Sequence, residues 1–147
     1  MGYSYGFALG LGVGLRYQWV VVPKGFLHSL PSGMHDEFAI EPGFDYFHAG
    51  YSNVGVSWDY NEFTPLVGAM WTFWLNDRLA VYPKVDVGYR IASWSESVNG
   101  TSVGGGHADL FPVYIQGAGG AIYRFGALSL RGEVGWEDLR IGAGYTF

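Results

Sequence analysis

Charged side chains scattered through apolar stretches are the residues most able to do chemistry here. Arg16, Lys84, Arg90, Arg131 and Arg140 are matched in number by Glu41, Asp45, Asp59, Asp86 and Glu133. Buried singly, such groups are costly, so they are expected to interleave as one polar network of ion pairs and hydrogen bonds. Histidine offers a second chemistry, because His48 and Ser52 could form part of a hydrolytic site. Their spacing shares a strand face only if the strand continues through Gly50, whereas 48–53 reads as a turn, and Glu41 falls on the opposite face. No catalytic residue is therefore assigned. The strings His35-Asp36-Glu37 and His107-Ala108-Asp109 lack a defined ligand set, so no metal is expected. Gly10-Leu11-Gly12-Val13-Gly14 and Gly117-Ala118-Gly119-Gly120 are followed by neither a helix start nor a Lys-Ser/Thr pair, so they are not phosphate loops and no cofactor is implied. With no cysteine, disulfides and thiol chemistry are excluded, and a net charge of -5 disfavours nucleic acid.

The elements that position these charges have a period of two. From 3 to 19 every odd residue is apolar or aromatic, while the even residues are mostly small, with Arg16 and Gln18 near the end. The same alternation marks 38–46, 54–60, 67–75, 79–91, 111–123, 128–136 and 139–147, which makes eight strands. Short turns are expected near 48–53, 76–77 and 125–126, with longer links at 21–36, 61–64, 95–109 and 136–138. Short and long links alternate, as in an up-and-down meander.

Composition decides which face meets water. Of the 147 residues, 49% are hydrophobic, 18% aromatic and only 14% charged, too few charges for an ordinary water-facing surface. The longest unbroken apolar run, Trp19 to Val22, is far too short for a membrane-spanning helix. Glycine makes a poor water-facing strand surface but leaves room inside a narrow tube. The expected fold is all-β: one domain over 1–147, an eight-stranded antiparallel up-and-down transmembrane β-barrel with lipid outside and the charges in the lumen. An eight-stranded tube has little space beyond its own side chains, which favours a filled plug over a conduction path.

Aromatics at strand ends predict two interfacial girdles. Tyr17, Trp19, Trp58, Tyr60, Trp94 and Trp136 are placed at the long-link end. Tyr3, Tyr5, Tyr46, Phe73, Trp74, Tyr123, Tyr145 and Phe147 are placed at the short-turn end. Asp36, Glu37, Asp59, Glu62, Glu96, Asp109, Glu137 and Asp138 would make the long-link rim acidic. In the first link Phe26, Leu27, Leu30 and Met34 are too apolar for a free loop, so 21–36 should fold over the mouth, extend the barrel or contact a surface partner.

The terminal run Leu139-Arg140-Ile141-Gly142-Ala143-Gly144-Tyr145-Thr146-Phe147 resembles the assembly signal of bacterial outer-membrane barrels, with Tyr145 and Phe147 its aromatic residues. The segment Leu75-Asn76-Asp77-Arg78-Leu79-Ala80-Val81-Tyr82 with Val87-Gly88-Tyr89 resembles a hairpin of the small OmpX and OmpA-like class. The resemblance implies a bacterial outer-membrane location. It also implies outer-membrane lipids, lipopolysaccharide and the barrel-assembly machinery as partners, short turns in the periplasm and loops outside the cell. It suggests adhesion through protruding strands, although links as short as 61–64 and 136–138 argue against a tall projecting sheet. The expected function is structural or surface interaction through the loops, not enzymatic. The rival readings are an outer-membrane lipid-modifying, deacylase-like hydrolase, a small channel or hydrophobic-ligand transporter, and a soluble lipocalin-like carrier with its faces reversed.

Overall fold

The alternating stretches form ten strands in a computed structural model that describes residues 10–107 and 112–146. They are β1 (Gly10–Arg16), β2 (Trp19–Val22), β3 (His35–Asn53), β4 (Val56–Trp74), β5 (Leu79–Tyr89), β6 (Ile91–Val98), β7 (Thr101–His107), β8 (Val113–Phe125), β9 (Leu128–Gly135) and β10 (Leu139–Tyr145). All pairings are antiparallel, and the sheet curls into a half-barrel. Several strands share a row. β1 and β2 both pair with β3, and the break between them is bridged by Tyr17 N donating to the Pro42 carbonyl at 3.0 Å. β5 pairs with one half of β4 and β6 with the other, so they form a single ribbon interrupted at Arg90. β7 lies against β6 and β8 against β5. The path β1-β3-β4-β5-β8-β9-β10 therefore has seven rows, and its two margins run in the same direction.

The expected count of eight is corrected chiefly at one place. Residues 54–60 and 67–75 are not two strands joined by a link at 61–64. They are one strand, β4, paired with β3 without a register shift from His35↔Trp74 to Asn53↔Val56. Residues 48–53, expected as a turn, are the end of β3, and the chain reverses at Val54 and Gly55 instead. The expected link 95–109 contains the β6–β7 hairpin, whose turn is Asn99-Gly100. Both turn residues have positive φ, 53° and 78°, the conformation for which an Asn-Gly pair is suited.

Merging those two segments changes which links share an end. The base carries the 23–34 loop, the Leu75–Arg78 turn and the Gly126-Ala127 turn, whereas the tip carries Val54-Gly55, Asn99-Gly100 and Trp136–Asp138. Asp36 and Glu37 lie toward the base, so they do not belong to the acidic rim expected at the opposite end. The rung Ala39–Met70–Lys84–Ala118–Gly135 is the last, towards the tip, that β9 shares. Beyond it β1 stays beside β3 as far as Ala49 and β5 beside β8 as far as Tyr89, and past those β3, β4, β6 and β7 form two projecting hairpins, contrary to the expectation of no tall sheet. Asn99 N donates to the Gly55 carbonyl at 2.6 Å and ties their turns together.

Strand parity separates two faces. Outside, Leu11 is 86% exposed and Ile141 84%, with Val13, Val67, Val85, Val87, Ile115, Leu130 and Val134 also exposed. Inside, Ala39, Met70, Trp74, Ala80, Tyr82 and Ile122 form a buried apolar cluster towards the base. The Arg124 guanidinium lies 4.0 Å from the Trp74 ring centroid, and His35 stacks on the same ring. Trp74 was expected in a girdle but belongs to this interior cluster.

Candidate functional site

Even residues of β5 and β8 and odd residues of β3, β9 and the inward curl of β1 and β10 determine the chemistry of the interior. Lys84 Nζ lies 3.0 Å from Glu41 Oε2, 3.0 Å from Asp86 Oδ1 and 3.8 Å from Glu133 Oε2, and all four residues are buried. Arg131 from β9 reaches across the curl to both carboxylate oxygens of Glu41 on β3, and pairs with Glu133 at 2.7 Å. Tyr82 Oη donates to Glu133 at 3.0 Å while accepting from Arg131 Nε. Salt bridges between β3, β5 and β9 require those strands to face one another across the interior.

A second layer surrounds Arg140. Its guanidinium lies 2.7 Å from Asp138, 3.2 Å from Glu133 and 3.4 Å from both Asp86 and Asp45. It also donates to Tyr114 Oη at 2.9 Å and to Gln116 Oε1 at 2.7 Å. Tyr114 Oη in turn bonds Gln116 Oε1. Arg16 on β1 meets Asp45 at 2.6 Å, so arginines from both margins of the sheet reach the same carboxylate. A third cluster lies nearer the tip, where Arg90 pairs with Glu62 at 3.0 Å and Glu137 at 2.7 Å, and Glu62 accepts from Tyr60 and Thr64. Guanidinium groups serve this interior because each can engage several carboxylates and hydroxyls in one plane.

The structure thus brings Arg16, Glu41, Asp45, Lys84, Asp86, Arg131, Glu133 and Arg140 together and sets Arg90 in an adjoining cluster. Asp59, expected among them, is exposed on the outer face of β4. Glu62, Glu137, Asp138, Tyr82, Tyr114 and Gln116 complete the network but were not among its expected members. Tyr82 shares parity with Lys84 and Asp86, and that was the available signal. Glu62 would have followed from extending the parity of Thr64 and Leu66 through the supposed link.

Three expected girdle residues are corrected for the same reason. Tyr60 points inward to Glu62, Trp58 stacks on Tyr60 with centroids 5.9 Å apart, and Trp94 lies beside Gly104 on the inner face. Tyr17, Trp19, Tyr46, Phe73, Tyr123, Trp136 and Tyr145 are on the outside, but not in the two sets expected. Tyr46 is towards the tip, Phe73, Tyr123 and Tyr145 towards the base, and Trp19 precedes the base loop whereas Trp136 begins the tip turn. Tyr3, Tyr5, Asp109 and Phe147 lie outside the described residues.

The 23–34 loop closes back on the outer wall. Phe26 packs against Phe38 and Trp71 with centroids 5.7 and 5.8 Å apart, and Asp36 accepts from Phe26 N and Trp71 Nε1, each at 2.8 Å. Gly25 has φ +57° and lies against the Asp36 carboxylate, leaving no space for a Cβ. Leu27 remains exposed, and Leu30 and Met34 are half-buried.

β3 does continue through Gly50, so His48 and Ser52 share its outer face. Four residues along a strand separate them by about 13 Å, too far for proton transfer, and His48 Nδ1 is occupied by Asn61 Oδ1 at 3.0 Å. No family model, curated protein or solved structure matches the chain.

Proposed function

We propose that this chain is an integral protein of the bacterial outer membrane, a small β-barrel with a charge-paired interior. Its role is to span the bilayer and present its projecting hairpins to a surface partner. The observation that carries this reading is an exchange of faces along continuous strands. Towards the base, β4 and β5 turn Val67, Ala69, Val81, Val85 and Val87 outward and Lys84 and Asp86 inward. Towards the tip, β4 and β6 turn Ser57, Asp59, Asn61, Ser93 and Ser95 outward and Trp58, Tyr60 and Trp94 inward. A wall in hydrocarbon below and water above would have this pattern.

The eight-stranded closed barrel belongs to the same proposal. Because β1 and β10 run the same way, one further ribbon running against both would complete a wall antiparallel throughout. The interior ion pairs fill the space a conduit would need, which supports a structural role over a channel. Lipids and lipopolysaccharide would contact the wall, and the barrel-assembly machinery would insert it. The tip, with Asp59, Glu96, Glu137 and Asp138, would face outward from the cell, and the surface partner would meet the hairpins instead of the 23–34 loop.

Spin labels at Val85, Leu130 and Ser95 test the reading in the reconstituted protein. Labels at the first two should be quenched by oxygen and shielded from a water-soluble nickel chelate, and the label at Ser95 should show the reverse. Nickel access at all three, in a chain that stays monodisperse without detergent, would overturn it.

A further inference from the structure

The tipward segments 43–63 and 91–107 contain Asp45, Asp59, Glu62 and Glu96 but neither lysine nor arginine. Arg16 and Arg140 reach Asp45, and Arg90 reaches Glu62, all from outside these segments. Asp59 is exposed on the outer face, where water solvates it. Glu96 differs. It is half-buried on the inner face of β6, and its carboxylate has no ion pair or hydrogen bond among the described residues. Register places Trp58 of β4 opposite it on one side and Gly104 of β7 on the other. Trp94, two residues earlier on the same face, leans towards it: a Cβ on Gly104 would lie 3.2 and 3.3 Å from atoms of the Trp94 ring and 3.9 Å from Glu96 Cβ. Trp58 is itself held by stacking on Tyr60, their planes 13° apart. A carboxylate is thus flanked by two indoles, and a glycine on its third side leaves the face open.

Elsewhere the chain completes the same set with an arginine of its own. Arg131 lies 4.6 Å from the Tyr82 ring centroid and pairs with Glu41 and Glu133, and Arg90 lies 5.0 Å from the Tyr114 centroid and pairs with Glu62 and Glu137. Ring and carboxylate together suit a guanidinium, whose plane stacks on the ring while its edge donates to both oxygens. At Glu96 the rings and the acid are present and the cation is missing. The tip as a whole, with Asp59, Glu62, Glu96 and Glu137 against Arg90, is acidic and attracts cations. We propose that this inner face of the projecting ribbon receives an arginine side chain from an extended segment of the surface partner. The guanidinium lies between Trp58 and Trp94 and donates to both oxygens of Glu96. The site rests on the reading of the hairpins as the element presented to a partner, and deepens it by naming the side chain that the partner contributes.

The test uses the full chain in uncharged maltoside micelles, titrated calorimetrically with three blocked octapeptides in which glycine alternates with arginine, lysine or glutamine. The arginine peptide should bind about fivefold more tightly than the lysine peptide, the advantage of a stacked planar cation, and the glutamine peptide should bind most weakly. Glu96→Gln should weaken arginine binding about tenfold, the effect of one charge-assisted pair, and Trp58→Leu and Trp94→Leu should each weaken it about fivefold. Asp59→Asn, on the opposite face of the ribbon, should change it less than about twofold. Unchanged strand content by circular dichroism shows that each variant is folded. Equal losses from Glu96→Gln and Asp59→Asn would report attraction to the acidic tip in general and overturn the site. So would arginine and lysine peptides bound alike, or binding that survives both tryptophan replacements. A chain that needs detergent yet fails these tests loses the site and keeps the membrane reading, whereas a chain monodisperse without detergent that still binds arginine through Glu96 loses the membrane reading and keeps the site.

Discussion

The base half and the tip half of this sheet share the same strands but turn opposite kinds of side chain outward. Baseward of Asn61, the interior of β4 and β5 holds Thr64, Thr72, Lys84 and Asp86 beside Leu66 and Met70, and the exterior is Val, Ala, Phe and Trp. Tipward, the interior holds Phe47, Trp58, Tyr60 and Trp94 and the exterior holds His48, Asp59, Ser93 and Ser95. No bulge separates the halves on β3 and β4. A strand turns its side chains out every second residue whatever surrounds it, so this exchange of apolar residues between faces needs no change of backbone and matches the proposed change of solvent. On the proposed reading, a half set in hydrocarbon would need its polar groups satisfied within it, whereas the other half would leave them to water.

The deepest cut at this contrast is Glu41→Ala. It takes from Lys84 and Arg131 the buried carboxylate they share, leaving Asp86 and Glu133 to pair with both, and should cost about 3–5 kcal/mol in urea unfolding of the micelle-bound protein. Val85→Arg places a charge on the greasy exterior and should cost about 2–4 kcal/mol, while Ser95→Arg on the tip exterior should stay within about 0.5 kcal/mol. Equal costs for those two arginines would break the comparison. Tyr60→Phe removes a hydrogen bond to the Glu62 carboxylate, and a loss of about 1.5–2 kcal/mol would locate the polar interior above the exchange of faces as well. Gly25→Ala should add about 1 kcal/mol from its positive φ to the cost of displacing the buried Asp36 carboxylate that its Cβ would meet. It should also move Phe26 off Trp71, seen as a change in tryptophan emission.

The base half was largely legible in the sequence because one environment lasted long enough to set an unbroken alternation. Lys84, Asp86, Arg131 and Glu133 declare the inner face by sitting opposite Val, Leu and Ile. The tip half was not legible in the same way. A change of parity near 61–64 looks identical whether a strand stops or its surroundings change, and periodicity alone favoured stopping. Asp59, Trp58 and Tyr60 were consequently assigned to the wrong sides. Gly50 and Asn53 resembled turn residues, yet the chain reverses just after them. Asn99-Gly100 carried a genuine hairpin signal inside what was taken for a loop. Partners across the curl, such as Glu41 and Arg131, are ninety positions apart, and their specific pairing has no local signature.

The bond from Asn99 to Gly55 has a mechanical meaning. It extends by one residue the ladder that joins β4 to β6 from Phe63↔Ile91 to Val56↔Val98, so tension on either projecting hairpin would load both and spread over four strands. Pulled along its length, such a ribbon loads many backbone hydrogen bonds at once instead of peeling them one after another.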